Sequence, residues 1–201
     1  GRCNVTNKEI HPKKLAAHYP RGEKFLTPLF KKFGSKELQD WFSQKGIELK
    51  TEPDGRIFPL SNTSQTIVDT LSEVLDNPNC AIKNSFTVNQ IIQNENYWEV
   101  SSEQDSINCT HLILATGGIN KQLTKLIKQL RIKLISPAPS LFTFKLPLKE
   151  AVLKEMQGVA VQNVQTKIVG TKITSTGPLL FTHWGLSGPA ILKLSAWGAK
   201  I

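Results

Sequence analysis

The sequence has 201 residues, of which 39% are hydrophobic and 20% are charged, a composition that supports a globular protein with a real core. No apolar run approaches the roughly 20 residues of a membrane-spanning helix, and polar residues from Arg2 to Glu9 interrupt any N-terminal signal segment. Three widely spaced cysteines without a C-x-x-C pair argue against a zinc site or a disulfide framework, and they favour a reducing compartment.

The net charge of +9 allows two interpretations. It is compatible with a nucleic-acid surface, or with a cleft that attracts phosphates and anionic substrates. The lysines are spread along the chain with no block of five or six, which favours solvated helix faces over nucleic acid as a partner. The sequence begins at Gly1 without an initiator methionine and stops abruptly at Ile201, so we expect it to be a fragment of a longer protein.

The first eighty residues predict two helices around a short strand pair. After an apolar patch at residues 25–34, Ser35 is the expected N-cap of a helix that Gly46 ends. Residues 47–51 alternate like a strand, residues 53–55 form a turn, and residues 56–60 are extended. Residues 61–64 then cap a second helix. The apolar positions of the two helices follow amphipathic spacing: Leu38, Trp41 and Phe42 in the first, and Ile67, Val68, Leu71, Val74 and Leu75 in the second.

The next forty residues predict a small antiparallel meander that returns to a parallel sheet. Residues 81–92 are typical of a strand or a strand pair with Phe86, Val88 and Ile91 buried, and residues 97–100 of another strand, followed by a polar turn. The apolar run at 112–114, stopped by small residues at 115–118, predicts a buried parallel strand. Glycines at its carboxyl end would let a ligand or another backbone come close, although an ordinary glycine turn would look the same.

The remaining residues predict a third helix and then a β-rich region. Leu123, Leu126, Ile127 and Leu130 define the helix, residues 133–135 a strand, and residues 137–139 a stiff linker. Further strands are expected at 141–146, 158–164 and 166–173, with a hairpin turn at Gly170. Residues 179–192 combine a strand, a glycine-rich turn and a helix with Pro189 near its start. The change in composition places a domain boundary near residue 140, giving domains 1–140 and 141–201.

Alternation of helices and strands in the first part predicts an α/β fold with an at least partly parallel sheet. Candidate ligand groups then fall at its carboxyl edge or in loops, at residues 1–7, 56–59 and 115–118. Backbone N–H groups of a glycine turn can hold phosphate oxygens, and Arg2 could add charge. Asn4, Thr6 and Asn7 could bond ring heteroatoms, or they could simply cap their own surface loop.

His183 is the histidine with the most suggestive neighbours, because Thr182 and Trp184 flank it and a glycine follows. It could act as a general acid or base or bond a substrate, but a histidine bonded to backbone in a tight turn is the simpler alternative. Cys3 could be a redox thiol, yet no partner cysteine is near it in sequence, which favours a packing role. Residues 185–188 are not a nucleophile elbow, because the second glycine comes one residue early, and a serine hydrolase is therefore disfavoured.

Five motifs together resemble one flavoprotein family. They are G-R-C-N-V-T-N at residues 1–7, D-G-R-I-F-P at 54–59, L-I-L-A-T-G-G at 112–118, P-S-L-F at 139–142 and L-F-T-H-W-G-L-S-G-P at 180–189. In this order they look like the two-domain FAD-dependent oxidoreductases of the aminoacetone oxidase and 3-dehydro-bile acid reductase type. The resemblance implies a partial Rossmann-like FAD-binding domain with an inserted β-rich second domain over the flavin.

The resemblance also implies positions for the cofactor. Residues 1–7 would lie along the flavin with the 56–59 loop close to it, Val88 would approach the adenine through its backbone, and residues 115–118 would approach the pyrophosphate and ribitol. His183 would belong to the motif of the inserted domain, with no assigned catalytic role. The cofactor-binding residues implied are Gly1, Arg2, Cys3, Asn4, Thr6, Asn7, Arg56, Phe58, Pro59, Val88, Ala115, Thr116, Gly117 and Gly118; no metal ligand is implied.

The sequence departs from the family pattern at several points. The G-x-G-x-x-G fingerprint and the C-terminal glycine-rich segment of the family are absent from it, so the parent protein is expected to bind FAD while this fragment alone binds it poorly or not at all and is inactive. The expected function is hydride transfer through FAD between a nicotinamide or small organic substrate and an acceptor, with NAD(P)H as a possible donor. The alternatives are an RNA-associated flavoprotein or binding module, or an inactive truncated remnant. We expect a cytoplasmic protein, or one of the plastid stroma if the source bears plastids.

Overall fold

The computed structural model of the protein describes residues 1–118, 120–147 and 154–199. The chain separates into two compact units, residues 1–83 and residues 84–201. Each unit is described by itself below. The domain boundary that composition placed near residue 140 stays a prediction.

The first unit combines a small antiparallel sheet with four helices. In chain order the elements are β1 (Thr6–Asn7), α1 (Pro12–Ala16), α2 (Glu23–Lys32), α3 (Ser35–Gln44), β2 (Leu49–Thr51), β3 (Arg56–Pro59) and α4 (Gln65–Leu75). The strand order is β1-β3-β2, so the last strand in sequence lies in the middle of the sheet. The core consists of side chains from this sheet and the helices beside it, among them Leu15, Phe42, Ile57, Phe58 and Ile67.

Helix α3 has the predicted extent but a different cap. Its N-cap is Gly34, whose N–H donates to the Glu37 carboxylate at 2.8 Å. Ser35 lies one residue inside the helix, because its hydroxyl donates to the Asn7 carbonyl of β1 and is buried there. The predicted cap was therefore wrong by one residue, and the serine joins the helix to the sheet. Gly46 ends α3 at a φ of 76°, as predicted for a glycine after a helix.

Helices α1 and α2 were not predicted, and Pro28 explains the omission for α2. Proline normally ends a helix, yet here it lies inside Glu23–Lys32, which has no buried residue. Leu26, Phe30 and Phe33 do recur at helical spacing, a signal that the proline obscured. Helix α4 confirms the second predicted helix, but of its five apolar positions only Ile67 is buried.

The second unit combines antiparallel sheets with helices. In chain order its elements are β4 (Gln90–Gln93), β5 (Trp98–Ser101), β6 (Ser106–Cys109), α5 (Lys121–Gln129), β7 (Phe144–Lys145), β8 (Ala160–Lys167), β9 (Thr174–Thr182), β10 (Gly185–Ser187) and α6 (Pro189–Gly198). One sheet is the meander β4-β5-β6, and the other has the order β7-β10-β9-β8. No helix in the described ranges is long and apolar enough to cross a membrane.

The predicted parallel strand at residues 112–114 does not form. These residues have no regular structure, and the Ile113 side chain is 86% exposed. Every strand pair among the described residues is antiparallel, so the expectation of a partly parallel sheet within this chain was also wrong. A strand needs a neighbour to bond its backbone, and no described strand pairs with this run. The predicted strand at 133–135 is irregular for the same reason.

Other strand predictions were right in place and wrong in length. Residues 81–92 contribute only β4, where Ile91 is buried, and residues 141–146 contribute only β7. The predicted strand at 166–173 is divided between the end of β8 and the turn before β9. Gly170 does lie in that turn, at a φ of 79°. The antiparallel pairing of β4 with β5 and helix α5 are confirmed, as is α6 with Pro189 at its start, but the third strand of the meander is β6 rather than the predicted run at 112–114.

Two glycines allow the glycine-rich motif at 185–189 to pack between neighbouring strands. A Cβ on Gly185 would lie 1.9 Å from the Phe144 carbonyl oxygen in β7. Gly188 has a φ of 90°, and a Cβ there would lie 2.8 Å from the Pro178 carbonyl oxygen. Only glycine therefore lets β10 lie between β7 and β9 and then turn into α6. The motif has a structural explanation that needs no ligand.

We predict that Gly185→Ala destabilises the protein by about 1–3 kcal/mol, because a new Cβ would force the β7 and β10 backbones apart. Urea denaturation of both proteins measures the difference. Gly170→Ala is the matched control, since Gly170 has a positive φ but no atom of the described residues lies within 4 Å of the place that a Cβ would occupy. It should lose only the left-handed strain of roughly 1 kcal/mol. Equal losses would contradict the role of the close approach.

Candidate functional site

The N-terminal motif is held against β3 by backbone hydrogen bonds. Val5 N–H donates to the Ile57 carbonyl and Lys8 N–H to the Gly55 carbonyl, each at 2.8 Å. The Gly1 carbonyl accepts from Ser64 N–H, also at 2.8 Å, at the start of α4. The structure therefore brings together the two candidate segments that the family resemblance places near the flavin, residues 1–7 and residues 56–59.

Two arginines lie over the ring of Phe58. The guanidinium carbon of Arg2 is 3.9 Å from the ring centroid, and that of Arg56 is 5.3 Å from it. Both distances are within the range of cation–π attraction. Arg2 also donates to the Glu52 carboxylate, which Lys50 approaches at 3.9 Å. Because Phe58 is only 4% exposed, its ring is a fixed support that orients two cationic side chains at the surface.

Arg56 has a second fixed contact, with Asp54. The Arg56 backbone N–H donates to one carboxylate oxygen of Asp54 at 3.1 Å, and its Nε donates to the other at 2.7 Å. The backbone hydrogen bond chiefly, and the guanidinium to a lesser degree, hold the pKa of Asp54 below its usual value. Arg56 is thus oriented by a carboxylate on one side and an aromatic ring on the other.

The two candidate asparagines bond their own backbone. In the orientation that satisfies its hydrogen bonds, the Asn4 amide nitrogen donates to the Thr6 carbonyl at 3.0 Å and to the Ile57 carbonyl at 3.1 Å. The Asn7 side-chain oxygen accepts from Glu9 N–H at 3.0 Å. These contacts favour the loop-capping alternative for both side chains. Cys3 is a half-buried free thiol, and Pro59 is buried in the core.

A cavity of about 410 Å³ lies between β1 and the helices of the first unit. Asn4, Thr6 and Asn7 line one side of it, and aromatic residues line the other. Two of these, Tyr19 and Phe30, have ring centroids 5.7 Å apart. Apolar walls with a few polar groups are typical of small-molecule sites. The sequence did not single out the aromatic wall; the helical spacing of Phe30 and Phe33 was the available signal.

The candidate residues of the second unit have different surroundings. The Val88 carbonyl accepts from the Gln122 side chain at 2.7 Å, so this backbone atom already has a protein partner. Residues 115–118 are exposed, and Gly117 has a φ of 74°. No described atom lies within 4 Å of the place that a Cβ would occupy on Gly117 or Gly118, so the glycines are open to a close approach. Asn120 caps α5 by accepting from Leu123 N–H at 2.8 Å.

His183 lies in a two-residue hairpin loop with Trp184. The two rings stack, with centroids 5.8 Å apart and planes 12° apart. The Thr182 hydroxyl closes the loop by bonding both backbone groups of Gly185. The loop position matches the tight-turn alternative, although the ring contacts tryptophan rather than backbone. No hydrogen bond within the described ranges fixes this exposed ring as a general base would require.

Comparison with known proteins gives a family for this fold and site. The HI0933-like protein Rossmann domain matches residues 1–181. The chain belongs to the HI0933-like Rossmann-domain family. This is a FAD-binding flavoprotein family, which confirms the predicted flavoprotein class and Rossmann-like fold. The cavity beside β1 combines an aromatic wall with polar groups, a combination that is chemically suited to a planar ring.

Two similar curated proteins share one name, ribosomal RNA dihydrouridine synthase. The protein of Escherichia coli is 29% identical over 206 residues, covering 98% of this chain and 50% of its own length. The protein of Haemophilus influenzae is 27% identical over 207 residues, covering 97% of this chain and 50% of its own. The chain therefore spans about half the length of the curated relatives it matches.

We predict that Arg56→Gln raises the pKa of Asp54 part of the way to its usual value. The guanidinium contacts are lost while the larger backbone contribution remains. A lowered folded-state pKa stabilises the fold above the unfolded-state value, and this contribution is lost as the pH falls through the folded-state pKa. The variant should therefore lose less stability on acidification. Carboxyl chemical shifts in an NMR pH titration measure the change, and an unaltered Asp54 titration would contradict it.

Proposed function

We propose that this protein is an FAD-dependent oxidoreductase whose first unit holds part of the flavin. The observation that carries the proposal is that β1, which lines the aromatic cavity, pairs with β3, which carries Arg56 and Phe58 of the cationic group with Arg2. Family membership supports the cofactor, and the motif order supports the enzyme class. Both the reaction and the residues that serve it belong to this proposal.

Different residues of the chain would bind different parts of FAD. The two guanidinium groups over Phe58 would pair with phosphate or with a polar ring edge, and their fixed orientation would reduce the entropy lost on binding. Tyr19, Phe30 and Phe33 would cover a planar ring and exclude water from it. The exposed glycines 117 and 118 would admit a pyrophosphate close to the backbone.

When bound, FAD supplies hydride transfer, which side chains cannot perform by themselves. The protein's share is to orient the reactants and to exclude water around them. NAD(P)H is the donor that we propose, with a small organic molecule as the second substrate, as in the aminoacetone oxidase and bile acid reductase type. His183 stays a candidate for holding a proton or a substrate, because its ring is exposed beside Trp184.

A second candidate function is the reduction of uridine in ribosomal RNA. The shared name of both relatives supports it, together with the net charge of +9. The reaction adds two hydrogen atoms across the uracil double bond, one as a hydride and one as a proton. A flavoprotein can supply this pair after reduction by a nicotinamide. The candidate shares the flavin site with the first proposal and differs from it in substrate class.

We predict that the full-length protein that carries this chain, once purified, shows the visible absorption of an oxidised flavin and loses it on anaerobic mixing with NADH or NADPH. Nucleoside mass spectrometry of RNA incubated with the reduced protein then separates the two substrate classes, because dihydrouridine contains two more hydrogens than uridine. A flavin spectrum without any dihydrouridine would contradict the second candidate. If that full-length protein bound no FAD, both candidates would be contradicted.

We also predict that Arg2→Gln in the same full-length protein weakens FAD binding roughly tenfold or more, since hydrogen bonds to charged groups contribute about 1.5–3 kcal/mol. Titration with FAD, followed by flavin fluorescence, measures the dissociation constant. Lys32→Gln is a matched control, because it removes one exposed positive charge from the same unit outside the cavity lining. Equal effects of the two variants would show that only net charge matters.

A further inference from the structure

The positive charge of the protein is concentrated in its second half. Residues 1–105 contain thirteen lysine and arginine residues and fourteen aspartate and glutamate residues, so this part is nearly neutral. Residues 106–201 contain twelve basic residues and only two acidic ones, Glu150 and Glu155. The lysines themselves are evenly spread; the uneven distribution is that of the acids. Charge asymmetry of this kind points to a polyanionic partner.

Helix α5 presents this charge in an ordered form. Lys121, Lys125 and Lys128 recur at intervals of four and three residues, so they follow one another along a single face, which we call the lysine face. All three side chains are exposed, and none forms a salt bridge within the described ranges. Lysines at this spacing repel one another and weaken an isolated helix. Their arrangement therefore costs stability unless an anion binds there.

The lysine face also has a shape that fits an extended ligand. A groove of about 460 Å³ runs along it, lined by the three lysines with Thr124 and Gln129. From Lys121 to Lys128 the face extends about 10 Å along the helix axis. The acidic residue Glu103 lines a different cavity together with Gln122, and Gln122 is the residue after Lys121 and lies off the lysine face. The groove lining itself contains no carboxylate among the described residues.

The opposite face of α5 decides between two kinds of polyanion. A basic helix that binds a lipid surface must insert its apolar side into the membrane. In α5 that side is already occupied: Leu123 is 8% exposed and Leu126 is 6% exposed, and the helix packs on β4. The lysines are therefore free to contact phosphates while the leucines are not free to enter lipid. This arrangement favours a nucleic acid over a membrane.

We propose that the lysine face of α5 is a docking surface for the phosphate backbone of RNA. Lysine contacts to phosphate position a nucleic acid without reading its sequence. The surface would hold RNA in register while another part of the protein acts on a base. The choice of RNA as partner rests on the second candidate function, whereas the location of the surface rests on charge, spacing and burial alone.

The test is RNA binding by the full-length protein that carries this chain, measured by fluorescence anisotropy with a labelled RNA stem-loop at several salt concentrations. The triple variant Lys121→Gln, Lys125→Gln, Lys128→Gln should bind roughly tenfold more weakly or worse. It should also reduce the slope of log affinity against log salt by about two to three. Glutamine keeps the helix propensity, so the fold should be retained. The triple Lys→Arg variant should bind like the unchanged protein.

The matched control changes three exposed lysines of the first unit, Lys13, Lys31 and Lys32, to glutamine. It removes the same charge and should leave the slope nearly unchanged. If the lysine-face variant and this control behave alike, the docking surface is wrong while RNA binding itself survives. If the unchanged protein binds RNA no better than an unrelated basic protein, both the surface and the RNA candidate fail.

Flavin absorbance, followed in parallel, tests the oxidoreductase proposal separately. Lysine-dependent binding to phosphatidylglycerol vesicles without RNA binding would overturn the choice of partner.

Discussion

The buried strand β3 is the constraint on which the candidate site depends. Ile57 is 1% exposed, and its carbonyl accepts from Val5 N–H and from the Asn4 amide, which ties the N-terminal motif to the core. The neighbouring Phe58 supports the two guanidinium groups. Fixing the backbone of one residue costs roughly 1–2 kcal/mol of conformational entropy. An N-terminal segment without these hydrogen bonds would therefore not keep one orientation. The burial of one strand therefore gives fixed positions to charged groups at the surface.

The sequence predicted well those features that local chemistry decides. Gly46 and Gly55 stand where the backbone needs a positive φ, and α5 forms on the predicted apolar stripe. The contact between residues 1–7 and residues 56–59 could not be predicted in this way, because no local pattern joins segments fifty residues apart. Resemblance to a family supplied that expectation, and β1–β3 pairing gives it a physical basis.

The wrong predictions share one cause: a local sequence pattern does not show which other segment of the chain it will pack against. The run at 112–114 has the composition of a buried strand, but strand formation needs a neighbour with free backbone groups. The sequence indicates only an apolar patch at residues 25–34, yet these residues belong largely to α2, which contains Pro28 and packs against α1. Likewise, the spacing of Phe30 and Phe33 did not reveal that they face a polar strand across a cavity. Tertiary contacts decided each case.

The two glycine-rich motifs of the second unit differ in whether packing or an approaching ligand explains their glycines. In the 185–189 motif a neighbouring backbone atom or a positive φ explains each glycine, so no ligand is needed to account for it. At Gly117 and Gly118 the surroundings are open instead, and no described protein atom requires the absence of a side chain at Gly118. A glycine that packing explains is required whether or not a ligand binds. A glycine that faces open space is required only if a ligand or another backbone approaches it. That contrast makes residues 115–118, rather than the more conspicuous 185–189 motif, the stronger candidate for cofactor contact in the second unit.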